Sequence, residues 1–89
     1  MEAVSGDPIE LARQAANDAI AEANDRKSAA RIIAETALIA ALNEAKGDPA
    51  KIAAAEAQYE AAMAAARQQQ KDAIRAAAAE LDAVIATVR

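Results

Sequence analysis

Apolar residues recur at helical spacing along two long stretches of this chain. In the first, a stripe of about 3.6-residue period runs through Ala12, Ala16, Ala19, Ala23, Ala30, Ile33, Ala37 and Ala41, with Ile9, Ile20 and Leu38 beside it. In the second, the stripe is Ile52, Ala55, Tyr59, Ala62, Ala66, Gln70, Ala73, Ala77, Leu81, Val84 and Val88, widened by Met63, Ile74 and Ile85. Charge falls on the opposite faces, at Glu10, Arg13, Arg31 and Glu35, then at Glu60, Lys71, Arg75 and Asp82. An apolar stripe backed by a charged face is the pattern of a helix that buries one side against a neighbour. The second stripe steps by about 3.5 residues as far as Ala73 and then by four through Ala77 and Leu81, which predicts nearly straight helices with a weak supercoil.

Two punctuation marks set the limits of these helices. All the glycine and proline of the chain lies in Ser5-Gly6-Asp7-Pro8 and Lys46-Gly47-Asp48-Pro49. Each mark predicts a helix start. An Asp side chain accepts from free N–H groups of the first turn, and Pro at the first helical position gives up an N–H that has no partner anyway. Glu10, three residues after Asp7, completes the pattern of a capping box. Gly47 also suits the left-handed residue that ends a helix, and Lys46 suits the negative end of its dipole. The expected fold is all-α: helix over about 8–46, turn at 47–48, helix over about 49–88, with residues 1–5 frayed. Each helix is roughly 60 Å long at 1.5 Å per residue, and so short a turn sets the pair antiparallel. A break at Asn24-Asp25, giving three helices, is the rival reading, but no Gly or Pro supports it.

Composition decides how much such a hairpin can bury. Alanine supplies 31 of the 49 residues that make up the hydrophobic 55%, and Tyr59 is the one aromatic residue. Alanine is the best helix former and a poor source of buried area. A chain of 89 residues is already marginal for a core of its own. Apolar residues also lie off the stripes: Ile32, Ile39 and Leu42 on the first helix, and Ala54, Ala61, Ala65, Ala76, Ala79 and Ala83 on the second. A helix apolar on more than one side expects more than one neighbour. Self-association through Ile32, Ile39 and Leu42 is therefore expected, with a two-fold dimer forming a four-helix bundle ahead of larger rings. A face that accepts a different helical chain is the alternative.

In the antiparallel pair, residues whose numbers total about 95 are level. Leu38, Ile39 and Leu42 then meet Ile52, Tyr59 and Met63 near the turn. At the open end Ile9, Leu11 and Ile20 meet Ile74, Leu81, Val84 and Ile85. Between these clusters, Asn24-Asp25-Arg26-Lys27-Ser28 faces Gln68-Gln69-Gln70-Lys71-Asp72. Lys27 and Gln70 fall on or beside the stripes and form a polar core layer. One reading is a layer that fixes register or holds a small polar ligand. The other is that Lys27 snorkels and Gln70 reaches solvent or a partner amide.

Little catalytic chemistry remains open. With no His and no Cys, the chain lacks the commonest general base, the commonest transition-metal ligand and any thiolate. Ser5, Ser28, Thr36 and Thr87 have no base to activate them. Glu56 and Glu60 share a helix face as ordinary surface charge, and Glu-x-x-His metal pairs are absent. No catalytic, cofactor or metal site, and so no enzyme, is expected. Net charge is −4 with signs interspersed, which gives no basic run for nucleic acid. Apolar runs are far shorter than the roughly 20 residues that span a bilayer, and no signal segment is evident. The expectation is a soluble protein, cytoplasmic if made recombinantly, with itself as partner and no small-molecule substrate.

The paired Gly-Asp-Pro caps, unbroken helices and heavy alanine use from Ser5 to Arg89 resemble a computationally designed helical protein. That resemblance implies idealised geometry, high stability and a role as a scaffold or symmetric homo-oligomer. Lys27 and Gln70 depart from it. Alanine-rich ice-binding helices are similar in composition, but present Thr at regular intervals where this chain has only Thr36 and Thr87. A lipid-surface helix wants bulkier apolar residues and a Lys/Arg-rich polar face.

Overall fold

The structure is a computed structural model in which residues 7–88 are described. The frayed tail expected at 1–5 lies outside them. Two helices, α1 (Pro8–Ala45) and α2 (Pro49–Val88), pack along each other as an antiparallel hairpin. There is no break at Asn24-Asp25.

Both caps form, each in its own way. Asp7 is extended, and its Oδ1 accepts from the N–H groups of Ile9 (3.0 Å) and Glu10 (3.4 Å). The Glu10 carboxylate accepts from Arg13 Nη1 at 3.3 Å, so it serves an i,i+3 pair on the helix surface. At the second mark Asp48 Oδ1 accepts from Ala50 N–H at 2.9 Å. The first helix stops at Ala45, one residue earlier than expected, and the turn takes in Lys46. Lys46 (φ 50°, ψ 42°) and Gly47 (φ 84°) are both left-handed, and the Asp48 N–H donates to the Ala45 carbonyl at 2.9 Å. These values describe a type I′ turn, which needs positive φ at both central residues. Gly47 meets the need freely; Lys46 does so against the crowding of its Cβ.

Helical phase follows the caps, and it buries a row slightly rotated from the expected one. The buried residues are Ala16, Ala23, Ala34 and Ala45 on α1, and Ala55, Met63, Ala66 and Ala77 on α2. Ile33 and Ala37 were expected in the seam, yet both are exposed, Ile33 at 70%. Ala34 and Leu38 take their places. On α2 Met63 is buried and Ala62 exposed, and Val88 is exposed past the end of its partner helix. Of the expected contact clusters, Leu38 is half-buried at the seam, as are Ile52 and Tyr59; Leu11, Ile39 and Leu42 remain exposed.

Among the described residues the core is seven alanines and one methionine, which is thin. The hairpin is 66 Å long and only 7 Å thick between Cα extremes, one layer of helices where a domain ordinarily stacks two. Its radius of gyration is 20.0 Å, against about 12 Å for a compact chain of this length. The accessible surface is 6404 Å². A folded monomer of this mass shows about 4,900 Å², so the excess is on the order of 1,000 Å² or more.

Candidate functional site

The two broad sides of the hairpin differ. At about 100° per residue, Ala15, Arg26, Ile33, Ala37 and Glu44 fall on one edge of α1, and Lys51, Gln58, Ala62, Gln69 and Glu80 on the matching edge of α2. The rows mirror each other: each residue of the first is level with one of the second, as Ile33 with Ala62 and Glu44 with Lys51. Between them runs a furrow floored by alanine. Near the turn it is lined by Ala41, Ala45, Ala54 and Ala55. In its middle a hollow of about 300 Å³ has Ile33 and Ala37 opposite Tyr59 and Ala62. It continues past Ala23, Arg26, Ala66 and Gln69, and reaches the open end between Ala12, Ala15, Ala77 and Val84. Alanine makes the furrow because a methyl group fills so little of the space above a helix–helix seam.

The other side is closed. Ile20, Met63, Ile74 and Ile85 lie on that side of the seam, each at least partly covered except Ile74, which is just exposed. Arg13, Arg31, Glu35, Glu56, Glu60, Arg67 and Lys71 stand exposed along its fringe. A hollow opens on this side, between Asn24, Lys27, Ser28, Arg31 and Gln70.

That hollow is the expected polar layer. Lys27 and Gln70 are both half-buried, and Gln70 Nε2 donates to Asn24 Oδ1 at 2.6 Å. The bond joins the two helices, and its residue numbers total 94, beside the 95 expected for level positions. Asn24 was not singled out from the sequence; an amide placed level with Gln70 was the available signal. Among the described residues no buried polar side chain lacks a partner.

Ile32, Ile39 and Leu42, the residues expected at an oligomer interface, are exposed at 58%, 60% and 36%. They do not border the furrow. Ile32 and Ile39 stand roughly 150° round α1 from the buried row, and Leu42 lies on the closed side. Ile33, expected in the seam, stands instead as an exposed aliphatic on the furrow rim.

Other polar contacts are local. Thr36 and Thr87 hydroxyls donate to the carbonyls of Ile32 (2.9 Å) and Ala83 (2.8 Å), one turn back. The ion pairs Glu10–Arg13, Glu22–Arg26 and Asp72–Arg75 each lie within one helix and in solvent, which makes them worth a few tenths of a kcal/mol. Among the described residues no group of three potential metal ligands converges, and no helix is long and apolar enough to cross a membrane. No protein-family model, curated protein or solved structure matches the chain.

Proposed function

We propose that this protein is a structural, self-assembling helical hairpin, a homo-oligomer or scaffold with no catalytic task, and that the dimeric four-helix bundle is its working form. One observation carries the reading. A single layer with a core of seven alanines and a methionine leaves on the order of 1,000 Å² more surface in water than a chain of this mass normally does. A standard protein–protein interface covers about 800 Å² per partner, so one further copy disposes of an excess of that size. Ile33, 70% exposed on the furrow rim of α1, supplies bulky apolar surface for assembly. The idealised caps and unbroken helices fit a designed scaffold better than a chain shaped around a reaction.

The Asn24–Gln70 bond is read as a register device. The hollow beside it is open rather than enclosed, which suits a cross-helix amide pair better than a ligand. Sedimentation equilibrium at micromolar concentration tests the proposal. The expected mass is twice the 9.1 kDa of one chain. A chain that stays at 9.1 kDa and fully helical through that range rejects it.

A further inference from the structure

Resting on that reading, the geometry points to the furrow side as the seat of a second copy of this chain, placed by a two-fold axis parallel to the hairpin's length so that both turns lie at the same end. Size and charge on the two rims argue for it.

Under this axis α1 of one copy runs over α2 of the other, antiparallel, in the register the hairpin already uses within itself. Ile33, which is 70% exposed in one copy, then sits level with the second copy's Ala62, a bulky side chain against a methyl. Glu44 comes level with the second copy's Lys51, and Arg26 with its Gln69. Large thus meets small, and acid meets base. The alternative face-to-face axis, across the hairpin, lays α1 on α1 and α2 on α2. Full overlap of helices that begin at Pro8 and end at Ala45 then brings Arg26 against its own copy at the centre. It also leaves Lys51 and Glu44 at opposite ends from each other's second copy. Like charges at the middle of a contact disfavour that arrangement. The closed side is the poorer seat, since bulky residues already fill its seam and seven charged side chains fringe it.

The chain has no cysteine, so single labels can be placed without background. The test compares Ile33→Ala with Ile39→Ala by sedimentation, and adds Asn43→Cys carrying a spin label. Both truncations remove an exposed isoleucine from the same helix, so propensity and hairpin packing change alike. Ile33→Ala should raise the dimer dissociation constant on the order of 100-fold, because two copies each lose the contact. Ile39→Ala should leave it within about threefold. Asn43 is exposed on the back of α1 near the turn, and labels there should lie about 30 Å apart across a bundle with both turns together. A label distance of about 50 Å, the separation along α1 when the turns lie at opposite ends, overturns the axis. Loss of the dimer on Ile39→Ala, with Ile33→Ala harmless, moves the contact off the furrow and overturns the seat. A trimer or larger ring overturns the two-fold. A wild-type chain that is monomeric throughout overturns self-assembly itself, an outcome distinct from these.

Discussion

The furrow side and the closed side are built on the same two helices and share one seam. They differ in where the large side chains lean. Met63, Ile74 and Ile85 fill one side, while Ile33 stands out from the other above a groove that Leu38 and Tyr59 help to line. A seam of alanines brings helices close but contributes little area per residue, so the few bulky residues decide which side is finished. The closed side is finished within one chain. The furrow side has the shape of half an interface.

Substitutions on the two sides of this divide should act through different quantities, hairpin stability on one and assembly on the other. Met63, 7% exposed on the closed side of the seam, should cost about 2–4 kcal/mol when cut to alanine, measured by denaturant unfolding at a fixed protein concentration. Ala62→Leu, one position away on the furrow rim, changes nothing inside the hairpin and should act through assembly alone. Next in size is Ala66→Leu. Ala66 is buried where the axes approach, so the added bulk should pry the seam and cost about 1–3 kcal/mol. An unchanged midpoint there would mean the helices are not in close contact.

How much of this could be read from the sequence depends on the range of each interaction. Caps, turn and antiparallel register are local, and Gly47, Asp48 and Pro49 mark them to within one residue. The polar layer was also legible, since Lys27 and Gln70 interrupt an apolar row. The rotation of α1 was not. With alanine at 29, 30, 34, 37, 40 and 41, several directions look equally apolar, and rows through Ile33 or through Ala34 and Leu38 differ little in pattern. Which row faces inward is settled only by what α2 presents to it. The furrow is harder still, because it consists of side-chain volume missing from both helices at the same level.

Smaller effects sharpen the comparison by testing what the two sides share. The turn belongs to neither. Lys46→Asn should stabilise the protein by about 0.5–1 kcal/mol, since asparagine enters the left-handed region more readily than lysine. Gly47→Ala should cost about 1 kcal/mol by conformation alone, because no atom stands within 4 Å of the added Cβ. Smallest is Gln70→Leu on the closed side. It gives up one half-exposed amide bond and adds apolar cover, so stability should rise by up to about 1 kcal/mol with the oligomer unchanged. A clear fall in stability, or a change of oligomeric mass, would show that the Asn24–Gln70 bond does more than hold register.

All of this depends on a single layer of helices needing a second one. The dependence of the thermal midpoint on protein concentration, followed by circular dichroism over a hundredfold dilution into the nanomolar range, tests that need most directly. Folding coupled to assembly gives a midpoint that falls steadily as the protein is diluted. A midpoint that is high and the same at every concentration would mean that one hairpin, with its alanine seam and open furrow, is stable alone.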